Sequence, residues 1–226
     1  MEESMFKFLS GNKNKYQSAM NLIYDRNIHT LRTKIKILIV DDEEFDLINI
    51  LKERKYDKKK KKDISYAIEA EPFDIIVIDI KGIAKALGSG MEGFAIAREI
   101  KTKYPSKQVW CYSGCVIKQE ISERLKEIDG YISKDTDLDN WAEKLDGIIE
   151  TYCSKEYQEE VLRQQLRKYH VEEQEIAKII KEYNSSLDKK NFNELTEMLP
   201  QLISSGKYVI EIVNLIYSYL EIFAAS

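Results

Sequence analysis

Lys36-Ile-Leu-Ile-Val-Asp-Asp-Glu43 is a short apolar run that stops abruptly on carboxylates. A continuous aliphatic run of this length, bounded by polar residues, predicts a strand buried on both faces. Three later stretches repeat the arrangement. Ile75-Ile-Val-Ile78 ends on Asp79, Gln108-Val-Trp-Cys-Tyr112 leads into Ser113-Gly114, and Tyr131-Ile132 leads into Ser133-Lys134. Helical periods lie between and after them, at Phe45–Arg54, Met91–Lys103, Ile117–Ile128 and Leu138–Ile149. Thr136-x-x-Asp139 supplies a capping box for the last of these. A weaker strand is expected at Ile64–Ala67, after a Lys58–Lys62 run read as a solvated loop. Strands alternating with helices argue for a parallel sheet covered on both faces.

The polar residues Asp41, Asp42, Asp79, Ser113 and Lys134 all stand where a predicted strand exits. In an open α/β sheet those carboxyl ends form the ligand crevice. Asp41 and Asp42 could separately cap the helix beginning near Phe45. Asp79 has no such structural use, because a carboxylate closing an apolar strand contributes nothing to packing. Three carboxylates gathered there offer hard oxygen ligands, which suit Mg²⁺. Lys134 adds a point charge and Ser113 a hydroxyl. Together they could hold a phosphoryl group on a carboxylate nucleophile.

Charge and cysteine content narrow the class. The net charge is −4, and residues 151–226 carry −3 of it, which argues against a DNA-reading module built on clustered Lys and Arg. Cys111, Cys115 and Cys153 are an odd set, and His29 and His170 are the only histidines, so neither a disulfide framework nor a zinc site is expected. The chain starts on Met1-Glu-Glu3, acidic where a signal peptide is basic, and its first apolar stretch is too short for a signal-peptide core. Tyr208–Phe223, the most apolar stretch, is interrupted by Glu211 and Glu221 and falls short of a membrane span. A cytoplasmic protein with reduced thiols is the expectation.

Ile37-Leu-Ile-Val-Asp-Asp-Glu43, Ile76-Val-Ile-Asp79, Met91-Glu-Gly-Phe94 with Arg98-Glu-Ile-Lys101, Tyr112-Ser-Gly114 and Tyr131-Ile-Ser-Lys134 together resemble the receiver domain of two-component response regulators. The resemblance spans residues 36–150, about half the chain. It implies a five-stranded parallel sheet in flavodoxin-like order, 2-1-3-4-5. It also implies roles: Asp79 as phosphoacceptor, Asp42 as a direct Mg²⁺ ligand, Asp41 as an outer acid, and the Lys81 backbone carbonyl as a further ligand. Ser113 would be the switch hydroxyl, Tyr131 the switch aromatic and Lys134 the phosphate-neutralising lysine. The chain departs from the family in several places, among them a short segment between Asp42 and Asp79 that contains the Lys58–Lys62 run and leaves the helix after the second strand vestigial. Ile80–Gly90 forms a longer loop where a Met-Pro is usual, and Asp135 replaces the Pro that normally follows the lysine.

Outside that segment, Asn14–Tyr24 has helical spacing within an extension of residues 1–35, and residues 151–226 are helical throughout. Tyr157, Val161, Leu162, Leu166 and Tyr169 share one face; Ile176, Ile180, Tyr183 and Leu187 share another. Phe192, Leu195, Leu199 and Leu202 follow, with Pro200 expected to kink or end their helix. In the final helix Glu211, Asn214, Ser218 and Glu221 leave a narrow polar stripe beside Tyr208, Ile212, Leu215, Ile216, Tyr219 and Phe223, so residues 151–226 are expected to be an oligomerisation or docking surface, with a homodimer as the commonest form. The functional expectation is a signalling protein, not an enzyme beyond taking and slowly losing its own phosphoryl group. A sensor histidine kinase or phosphotransfer protein would charge it, and an output protein would read it through the helical module. Two alternatives are a phosphorylation-independent adaptor on the same fold and a regulator that binds nucleic acid as an oligomer. Neither membrane association nor sequence-specific nucleic-acid binding by the single chain is expected.

Overall fold

A computed structural model of the protein describes residues 27–43, 47–81, 83, 92–114, 125–189 and 191–224. The helix expected at Asn14–Tyr24, most of that expected at Ile117–Ile128, the loop from 84 to 91 and Cys115 lie outside these residues. Chain contacts define two units, an α/β unit of Asn27–Tyr152 and a helical unit whose described part begins at Cys153.

The α/β unit begins with α1 (Ile28–Lys34) and continues through β1 (Lys36–Val40), α2 (Leu47–Glu53) and β2 (Asp57–Lys61). It ends with β3 (Ile75–Asp79), α3 (Glu92–Lys103), β4 (Gln108–Ser113), β5 (Gly130–Ser133) and α4 (Leu138–Tyr152). The strands form one sheet in the order β2-β1-β3-β4-β5, every pair parallel. Each parallel crossover covers a sheet face, which is why all of Ile75–Asp79 and four of the five residues of β1 are buried. The unit takes in Ile28–Lys34, which the sequence boundary at 36 assigns to the extension.

The second strand differs from expectation. β2 is the lysine run itself, paired from Lys36↔Asp57 to Val40↔Lys61, and not Ile64–Ala67. An edge strand needs hydrogen bonds on one side only. Lys60 Nζ donates to the Glu43 carbonyl and Lys61 pairs with Glu69, and lysines on an open edge discourage pairing with other chains. Ile64, Ala67 and Ala70 do reach the core, beside Leu38, Val40 and Ile76. They arrive on a loop and a single 3₁₀ turn, Ala67–Ala70. That turn is held by Glu69, which accepts from the amides of Ser65 (2.9 Å) and Tyr66 (3.3 Å) and pairs with Lys61.

Two polar clusters lock the frame. Asp74 accepts from the Lys36 amide at 2.8 Å and the Tyr152 hydroxyl at 3.2 Å, tying the start of β1 to the end of α4. Arg32 of α1 forks onto Asp146 of α4, and Tyr56 donates to the same carboxylate at 2.6 Å. At the start of α4 the cap is Asp137, whose carboxylate accepts from the Asn140 amide at 3.0 Å. The expected cap, Thr136, lies one residue too early because the first helical residue is Leu138.

The helical unit comprises α5 (Lys155–Lys168), α6 (Glu173–Lys189), α7 (Asn193–Leu202) and α8 (Gly206–Ala224). Pro200 sits inside α7, which continues to Leu202 before ending. The apolar faces converge on one core that includes Leu166, Ile176, Ile180, Leu195, Leu199, Ile212 and Ile216. Ile212 and Ile216 are each 1% exposed. This removes Ile212 and Ile216 from the expected surface, because the neighbouring amphipathic helices supply enough apolar area to bury both residues from within the chain. In this unit, among the described residues, Ile210 is the exposed large hydrophobic. No helix among the described residues is long and apolar enough to cross a membrane.

Candidate functional site

The carboxyl edge of the sheet brings the expected residues together. Asp79 is the last residue of β3, Asp41 follows β1, and Lys134 follows β5. Val40 pairs with Ile78, so the two strands deliver Asp41 and Asp79 at the same level. Lys134 Nζ donates to Asp79 Oδ2 at 2.6 Å and stands 3.7 Å from Asp41 Oδ2 and 3.6 Å from Glu43 Oε2. Asp79 Oδ1 accepts the Lys81 amide at 3.2 Å, and Asp41 Oδ1 accepts the Glu43 amide at 2.8 Å. Asp41 and Asp79 are buried.

Such crowding shifts the charge equilibria. Burial pushes the Asp79 carboxyl above the ordinary aspartate range, and the charge of Asp41 adds to this. The bonds from Lys134 and the Lys81 amide pull it part of the way back. Burial also opposes the Lys134 charge, but the bond to Asp79 and the charges of Asp79, Asp41 and Glu43 outweigh it. Lys134 therefore stays protonated. Cys111, behind the site on β4, is pushed up to about 12 by burial and by Asp79, which keeps it an unreactive thiol.

The donor chemistry suits a hard divalent cation. Asp41, Asp42 and Asp79 each present one oxygen, and these oxygens lie within 4.8 Å of one another, with no nitrogen or sulfur ligand among them. That set fits Mg²⁺. Once bound, the ion would act as a Lewis acid toward phosphoryl oxygens.

Ser113 closes β4 one position beyond Tyr112, the residue paired with Asp79, and is itself buried. Its carbonyl accepts from the Lys134 amide at 3.0 Å and from the Tyr131 hydroxyl at 2.5 Å, so Tyr131 is tied to the same strand ends.

Two residues of the site were missed at the sequence level. The Tyr112 hydroxyl donates to Asp41 Oδ2, and its ring centroid lies 5.0 Å from Lys134 Nζ. Trp141 of α4 meets that ring edge-on, with centroids 5.9 Å apart. In a strand buried on both faces no alternation reveals which way an aromatic points, so the sequence offered Tyr112 only as the residue before Ser113-Gly114. Gly93, near the start of α3, is the second. A Cβ there would stand 1.9 Å from the Asp79 carbonyl oxygen. Only glycine lets the helix approach the end of β3 so closely. The sequence offered this glycine only as part of Met91-Glu-Gly-Phe94, with no sign of the close approach.

No family model and no curated protein matches the chain. Among solved structures, the receiver domain of NtrX from Brucella abortus aligns at 23% identity, covering 51% of this chain and 98% of that one with a TM-score of 0.43. A response regulator from Thermotoga maritima aligns at 22% identity, covering 51% and 97%, also with a TM-score of 0.43. A CheY-like receiver protein from Methanospirillum hungatei JF-1 aligns at 23% identity over 52% and 95%, with a TM-score of 0.41. The match to a longer NtrX structure spans 27% of its length.

Proposed function

We propose that this protein is a phosphorylation-responsive signalling protein in which Asp79 accepts a phosphoryl group with Mg²⁺ bound. The observation that carries this reading is the convergence of Asp41, Asp79 and Lys134 at adjacent strand ends, with Lys134 Nζ 2.6 Å from Asp79 Oδ2. The motifs in which these residues stand, and their order along the chain, add support. An Asp79 oxygen attacks the phosphorus of the donor, and the bond to the donor's leaving group breaks with its electron pair. Lys134 neutralises charge on the transferred group, and Asp41, Asp42 and Asp79, with the Lys81 carbonyl, would hold the ion. Ser113, at the end of β4, and Tyr131, within β5 and bonded to the Ser113 carbonyl, would register the change. A histidine kinase or phosphotransfer protein is the fitting donor, and the helical unit is the fitting output element, acting by protein–protein contact.

Intact-mass measurement after treatment with acetyl phosphate and Mg²⁺ tests the reading. A base-labile phosphoryl adduct is expected in the wild-type chain and not in Asp79→Asn. Its absence, together with absence of Mg²⁺-dependent beryllofluoride binding, would overturn the proposal in favour of an adaptor that works without phosphorylation.

A further inference from the structure

Asp41 is committed before any cation arrives. Its Oδ1 accepts the Glu43 amide, and its Oδ2 accepts the Tyr112 hydroxyl while lying 3.7 Å from Lys134 Nζ. The same tyrosine carries Lys134 over its ring face, a cation–π placement 5.0 Å from the centroid. Trp141, 1% exposed, abuts the ring at an interplanar angle of 88° and fixes its plane. Tyr112 is itself 1% exposed. Burial, then the bond to Asp41, raise its phenol well above the ordinary value, so it remains a neutral donor across the physiological range.

We infer that Tyr112 is a positioning residue of the acidic site: its hydroxyl engages Asp41 and its ring seats Lys134, so a divalent cation must compete with the phenol for Asp41. This rests on the metal-centre reading given above and extends it to the setting of cation affinity. A hydrogen bond to a carboxylate oxygen withdraws charge from it and occupies one of its lone pairs. Removing only the hydroxyl therefore leaves a more basic oxygen facing the cluster, with the ring, the lysine seat and the Trp141 contact in place. Structural damage would weaken cation binding, whereas this mechanism strengthens it.

Calorimetric titration of the full chain with MgCl₂ is the test. Tyr112→Phe should bind Mg²⁺ on the order of tenfold more tightly than wild type, while the metal-free variant stays folded at a melting temperature lowered by the lost hydrogen bond. Equal or weaker binding by a folded Tyr112→Phe, with wild type still binding, overturns the role of Tyr112 and leaves the metal centre standing. No Mg²⁺ binding by wild type overturns both. Should Tyr112→Phe not fold, fluorine NMR of the fluorotyrosine-labelled chain carries the test. A tyrosine resonance that titrates with Mg²⁺ and survives Tyr131→Phe is expected; no such resonance overturns the inference.

Discussion

Lys134 Nζ lies 2.6 Å from Asp79 Oδ2, so the acidic cluster carries its own counter-ion. A lysine in that place stabilises the buried carboxylate and also competes with any cation drawn to it. The competition has a sign and can be measured.

Lys134→Met removes a positive charge from the edge of the cation site. Mg²⁺ binding should tighten on the order of tenfold, a free-energy change of about 1.4 kcal/mol. This is well inside the roughly 4 kcal/mol that two unit charges 4 Å apart exert at an effective dielectric of about 20. Beryllofluoride retention should fall at the same time, because the anion loses its lysine. Calorimetry with MgCl₂ and with beryllofluoride reads the two effects separately; a parallel loss of both would contradict the competition.

Gly93→Ala forces a methyl group against the Asp79 carbonyl, where a Cβ would stand 1.9 Å away. The start of α3 must retreat, at a cost of about 1–3 kcal/mol in stability. Adduct formation at Asp79 should slow because the end of β3 shifts. Denaturant unfolding and phosphorylation kinetics check the two effects, and an unchanged stability would contradict the close approach.

The contact between β2 and the 3₁₀ turn should depend on pH. The bond from Lys61, aided by the Ser65 amide, holds Glu69 below the ordinary carboxylate range. A depressed folded-state value contributes stability that is fully present above the unfolded value of about 4.3 and is lost as pH falls through the folded value. Hydrogen exchange of residues 57–70, corrected for intrinsic rates, should therefore accelerate below about pH 4 relative to β3. Glu69→Gln should show much less of this pH dependence.

Ile212→Ala should destabilise the helical unit by about 2–4 kcal/mol through a core cavity, without changing the mass seen by light scattering. A change from dimer to monomer would instead restore the surface role that the sequence suggested for this residue.

Much of the α/β unit was legible because its strands are local signals. A run such as Ile75-Ile-Val-Ile78 must be buried on both faces, and a carboxylate closing it has no use in packing. The gathering of Asp41, Asp42, Asp79 and Lys134 followed from their places at strand exits, whereas the order of the strands was what the resemblance to receiver domains implied. What required tertiary structure was everything decided by a partner distant in sequence. Lys58–Lys61 became a strand because β1 offered an open edge, which no lysine run announces by itself. Ile212 and Ile216 became core because their helix joins the apolar cluster built by the other helices of the unit. Tyr112 became part of the site because Asp41, seventy-one positions earlier, lies within reach of its hydroxyl. Hydrophobic periodicity records that a residue is buried. Which groups share that burial depends on where the chain returns in space.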